Sequence, residues 1–179
     1  MDPTPPNCDY ETYTIHVQSP TEAEIIAGAS GSDFKVNLQT PLKDIVEFSL
    51  ISCTIPSPRV PGSEVVYISI PEVQSNFTDY LEPVANDTGT SSLLRNAFGC
   101  VYQTYSGATV DARIIYRNEY PMKTRFIYPL ERLESISIKL YTELAAPVGT
   151  TSPASHPGFY TFQIKCMRKN LCNFNICTN

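Results

Sequence analysis

The residues able to do chemistry are few and scattered. Six cysteines stand at Cys8, Cys53, Cys100, Cys166, Cys172 and Cys177. Cys53, Cys100 and Cys166 lie inside apolar, strand-like runs, where a free thiol behaves as a small hydrophobe. Cys166, Cys172 and Cys177 are spaced six and five apart, with no CxxC pair and no histidine nearby, so no zinc site is expected. A disulfide within this tail, or from the tail to Cys8, would require an oxidising setting such as an assembled extracellular particle. Both histidines lack a nucleophile partner: His16 alternates with apolar residues and His156 sits in a Pro/Ser loop. Neither GxSxG nor HExxH occurs. Asp79, Glu82 and Asp87 share a polar stretch and could meet a hard cation, but their spacing matches no calcium loop and a solvated loop face explains them. Glu131, Arg125 and Arg132 read as ion pairing at a strand junction, and glycines never cluster into a phosphate cradle. Catalytic, cofactor and metal residues are therefore none, and a non-enzymatic protein is expected.

Elements that could carry any site are strands. Tyr13, Ile15 and Val17 alternate with Thr12, Thr14 and His16, the period of a half-buried strand over 10–18. Phe34, Val36 and Leu38 repeat the pattern up to Pro41. Ile45 to Ile55 is more continuously apolar, which suits a central strand covered on much of both faces. Further strands are predicted over 65–73, 97–105, 112–117, 123–128, 133–141 and 159–167. Thr21–Ala27 could form one helical turn before Gly28. Long polar loops fall at 75–96 and 145–158, the first carrying sequons at Asn76 and Asn86, which get little weight without a signal peptide. Eight or nine short strands and almost no helix predict an all-β antiparallel sandwich, a single eight-stranded jelly roll with long loops and extended termini. Its domain spans 10–168, between an extended Pro-rich arm at 1–9 and a Cys-bearing tail at 169–179.

With 13 Lys and Arg against 18 Asp and Glu, the net charge is −5, and no basic stripe runs along any segment. Nucleic acid is accordingly not expected as a partner. No apolar run reaches the roughly 20 residues of a membrane-spanning helix. Met1 to Pro6 has neither a positive nor an apolar region, so a chain made and used outside the secretory pathway is expected.

One linked series of segments is familiar. It begins at Val36-Asn-Leu38, Leu42 and Val46-Glu-Phe-Ser-Leu-Ile-Ser-Cys-Thr-Ile-Pro56, and continues with Val66-Tyr-Ile-Ser-Ile70. It ends at Pro129-Leu130, Leu133-Glu-Ser-Ile-Ser-Ile-Lys-Leu140 and Phe159-Tyr-Thr-Phe-Gln-Ile164. Over residues 33–167 this order resembles the single jelly-roll penton and minor capsid proteins of large double-stranded DNA viruses and their virophage or polinton-like relatives. Thr142 to Pro147 departs from the Gly and Asp that often follow the Ser-Ile-x-Leu strand in that family. The resemblance implies a structural protein forming a homopentameric ring at the fivefold vertex of an icosahedral virion, assembled in the host cytoplasm. Its implied partners are the major capsid protein and other minor capsid proteins, and its implied alternative is a minor protein cementing neighbouring capsomers. A lectin-like module is the competing expectation, with Tyr67, Tyr102, Tyr105 and Tyr160 as an aromatic platform.

Overall fold

The computed structural model describes residues 10–21, 24, 31–56, 65–73, 97–102, 113–142 and 157–168. The predicted arm at 1–9, the tail at 169–179 and nearly all of the two long loops lie outside the described residues. Six strands form one antiparallel sheet: β1 (Tyr10–Gln18), β2 (Asp33–Pro56), β3 (Val65–Ser69), β4 (Gly99–Tyr102), β5 (Arg113–Tyr141) and β6 (Phe159–Met167). Their order is β1-β6-β2-β5-β3-β4. The all-β antiparallel class is as expected. The strand count differs, because β2 and β5 run for 24 and 29 residues through positions where breaks were expected.

Pro41 and Pro129 interrupt the ladder without ending the strand. Asn37 pairs Ser135 and Leu42 pairs Leu133, so residues 38–41 face Glu134 alone. Ile45 pairs Leu130 and Glu47 pairs Arg125, so 126–129 face Val46. Leu50 pairs Met122 and Ser52 pairs Arg117, so 118–121 face Ile51. Each four-residue excursion ends in a proline, Pro41, Pro129 or Pro121, where its missing N–H breaks no β2–β5 bond. Beside the first of them Asp44 takes φ 53°, a left-handed conformation that Asp tolerates better than most side chains.

Val46 and Ile51 explain the apolar run at 45–55. Both are bulged residues with no partner on β6: Ile45 pairs Cys166 and Glu47 pairs Lys165, then Leu50 pairs Phe162 and Ser52 pairs Thr161. Each bulge resets the alternation by one residue. Ile45, Phe48, Leu50, Cys53 and Ile55 thereby all reach the same face and are buried, while Val46 and Ile51 are half-buried. The strand is central, as expected, but its unbroken hydrophobicity reflects phase resets rather than cover on both faces.

That shared face is concave. Val17 on β1, Tyr160, Phe162, Ile164 and Cys166 on β6, Phe34 on β2, Val66 and Ile68 on β3, and Ile136, Ile138 and Leu140 on β5 join it in one core. Contacts between residues that are far apart in the ladders show the curl. Phe34 meets Tyr160 at 6.0 Å between ring centroids, and Phe48 meets Phe98 edge-on at 5.6 Å. Gly99 of β4 lies where an added Cβ would strike the Met122 side chain of β5. After β3 the chain leaves the sheet at Pro71–Val73, a 3₁₀ turn where strand was expected to continue to Val73. From this turn the Glu72 carboxylate accepts from Ser137 N at 3.0 Å and Ser137 Oγ at 2.5 Å, beyond the end of the β3 ladder. Thr21 donates through its backbone N (2.7 Å) and hydroxyl (2.8 Å) to Glu24, part of a capping-box arrangement at the predicted helical turn, most of which lies outside the described residues.

Candidate functional site

The curl sends each sequence candidate to a definite place. Cys53 and Cys166 are free thiols on the concave face, both buried. Burial pushes the Cys53 thiol up to about 12 and the Cys166 thiol up to about 11, the latter helped by the carboxylates of Glu11 and Asp44. Cys100, half-buried, is raised for the same reason. A protonated, enclosed thiol is a poor nucleophile. Native alkylation with iodoacetamide at pH 8 should therefore leave Cys53 and Cys166 unmodified by peptide mass mapping. Both should react once urea unfolds the chain, and native labelling of either would place it outside the core. The other members of the disulfide expectation, Cys8, Cys172 and Cys177, fall outside the described residues.

His16 lies on the convex face, its Nδ1 3.2 Å from Thr161 Oγ1, with neither carboxylate nor thiol recorded against it. His156, Asp79, Glu82 and Asp87 lie outside the described residues. Among the described residues no three His, Cys, Asp or Glu side chains are grouped to hold a metal ion. No described helix is long and apolar enough to cross a membrane. Arg125 donates through Nε to Glu47 at 2.8 Å and Arg132 pairs with Glu134 at 2.7 Å, so both arginines of the junction are in ion pairs, with partners other than the exposed Glu131. Near the sheet corner Glu11 accepts from the Tyr13 hydroxyl at 2.6 Å and from Arg168 Nε at 2.7 Å. These bonds, Tyr13 first, hold the Glu11 carboxyl below its ordinary range. Their small contribution is present above the unfolded carboxylate pKa and fades as pH falls through the lowered one.

Of the four tyrosines of the glycan expectation, the three that are described are not brought together. Tyr160 is 1% exposed on the concave face, and its hydroxyl has no hydrogen-bond partner among the described residues. Tyr67 points the other way and is also buried, against Val65, Ala97, Cys100 and Tyr141. Tyr102 is 72% exposed at the β4 edge, and Tyr105 is outside the described residues.

What the fold does assemble is a polar convex face on β1, β6, β2 and the first part of β5. Pairing sets it out in rows: Thr12, Lys165, Glu47, Arg125; then Thr14, Gln163, Ser49, Lys123; then His16, Thr161, Ser52, Arg117; then Gln18, Phe159, Thr54, Ile115. Sequence reasoning missed the cation column of Arg117, Lys123 and Arg125. Lys123 and Arg125 carry the period-two signal, but the excursion at 118–121 hides Arg117 from it. No family model matches the chain, and no curated protein does.

Proposed function

We propose that the chain is a structural protein of an icosahedral viral capsid, a single jelly roll that forms a pentameric ring at the fivefold vertex. The observation that carries this reading is the ladder order. Divided at residues 38–44 of β2 and 126–129 of β5, the two long strands each supply two runs. β1, β6, residues 45–56 of β2 and 113–125 of β5 pair in that order. Residues 33–37 of β2, 130–141 of β5, β3 and β4 pair in theirs. Read as two four-stranded sets joined where β2 and β5 pass from one to the other, the single sheet supports a jelly-roll reading.

The step from that wiring to a vertex rests on the resemblance across residues 33–167, since the same fold serves lectins and enzymes. A glycan-binding module is disfavoured because Tyr67 and Tyr160 are buried on opposite faces. Native mass spectrometry of the full chain, with and without reductant, tests the proposal. A species of five times 19.9 kDa is the expected result. Loss of that species on reduction would assign inter-subunit bonds to cysteines of the set Cys8, Cys172 and Cys177, since Cys166 of the expected set is enclosed in the core. A monomer under both conditions at micromolar concentration would overturn the ring and turn the assignment towards a cementing protein.

A further inference from the structure

The convex face carries charge that the linear sequence conceals. Four cations, Arg117, Lys123, Arg125 and Lys165, share its rows with a single described carboxylate, Glu47. Arg117, Lys123 and Arg125 are exposed, and Lys165 is half-buried with its ammonium 4.3 Å from the Tyr10 ring centroid. Glu47 pairs with Arg125, whereas Arg117 and Lys123 have no ion pair among the described residues. A local excess of positive charge thus sits on a chain whose net charge is −5. Lys123 and Arg125 are two residues apart on one strand, about 7 Å, and Lys165 lies two strands across, about 10 Å.

Around these cations the face is built from Thr12, Thr14, Gln163, Thr161, Ser52 and His16, side chains that donate hydrogen bonds. Its large apolar residues stand at its two ends, Phe159 and Ile115 in the last row and Tyr10 and Met167 beyond the first. Protein partners are gripped by buried aromatic anchors at the centre of a patch, and this centre has none. Single-stranded nucleic acid needs a stacking platform, which Phe159 and Tyr10, at opposite ends of the face, do not supply. A second copy would need an acidic surface to offer. Most of the described carboxylates are engaged locally, among them Glu11 with Arg168, Asp33 with Lys139, Glu72 with Ser137 and Glu134 with Arg132. Cations among hydroxyl and amide donors, on a convex sheet surface with no described element to enter a groove, match the phosphate backbone of a duplex.

We propose that this convex face binds the phosphate backbone of a nucleic-acid duplex without reading its sequence, with Arg117 and Lys123 as the principal contacts and Arg125 and Lys165 flanking them. The inference stands independently of the ring and reverses the expectation drawn from the scattered charges. Fluorescence anisotropy with a mixed-sequence DNA duplex of about 20 base pairs, titrated over salt, tests it. The wild-type chain should bind at about 50 mM salt, with log K falling linearly against log salt. In R117Q/K123Q the slope should shrink by about 1.8 and binding at low salt should weaken about tenfold. K35Q/K43Q removes the same charge from exposed positions elsewhere on β2 and should leave both unchanged. Circular dichroism and thermal melting check that both variants are folded. No binding by the wild-type chain overturns the proposal, as does equal weakening in both double variants, which would make net charge the cause. Equal displacement by poly-glutamate at matched charge also overturns it, and points to a carboxylate-bearing protein instead.

Discussion

Phe48→Ala is expected to lower the free energy of unfolding by about 4 kcal/mol, a large fraction of the roughly 5–15 kcal/mol that holds a domain folded. Phe48 is fully buried and spans the curl, edge-on to Phe98 at 5.6 Å and 5.0 Å from the Phe162 ring. Truncation opens a cavity between two rings held by different strands, which neither can fill alone. Urea denaturation followed by tyrosine fluorescence measures the loss. The informative companion is Ile51→Ala, which deletes a smaller, aliphatic side chain at a bulged, half-buried position. It should cost about 1 kcal/mol, at the lower end for a large-to-small change. Equal losses for the two variants would mean that the alternation is not reset at Ile51 and that the bulged register is wrong.

Gln163→Pro should be nearly as damaging although it removes no core side chain. Gln163 projects from the convex face, opposite Thr14 on β1 and Ser49 on β2. Because β6 is paired on both sides, a proline there deletes a ladder hydrogen bond that no other group replaces, at about 3 kcal/mol or more. Pro41→Ala should stay within about 1 kcal/mol of the parent, because residues 38–41 have no partners on β5. Soluble yield and denaturation midpoints of the two variants decide the matter. A well-folded Gln163→Pro protein would show that β6 is not the inner strand of the sheet.

The contrast between those sites explains what could be read in advance. Strands β1 and β6 were legible to the residue, because they pair with each other over nine positions without a bulge and the period of two is never disturbed. Pro41 and Pro129 were legible as interruptions, but ladder interruption and chain termination leave the same mark in a sequence. Only the pairing partner tells them apart. Leu133, out of phase with Ile136, Ile138 and Leu140, was already the trace of such an interruption: it pairs Leu42 beyond the unpaired stretch, and both are buried. Between Ile45 and Ile55 two bulges mimic a doubly covered strand, since a phase reset and a second apolar face both place hydrophobes at adjacent positions. The convex cations were hidden for a different reason. They lie on separate strands, and on β5 an excursion separates Arg117 from Lys123, so no window along the chain contains them all. The cysteines were half legible, as apolar strand residues, while Tyr67 and Tyr160 looked alike in sequence and are buried on opposite faces.

The position of β6 in the sheet also dictates an order of events during synthesis. β6 is the last described strand to leave the ribosome, yet it sits between β1 and β2, which are the first two. Until residue 167 has emerged, β1 has no ladder partner and β2 lacks one of its two. The nascent chain can close the β2–β5 and β3–β5 ladders as it grows, while Val17 and the other core-facing residues of β1 wait exposed. Sheet completion therefore waits for β6 and joins residues some 150 positions apart, the kind of closure that folds in milliseconds to seconds rather than microseconds.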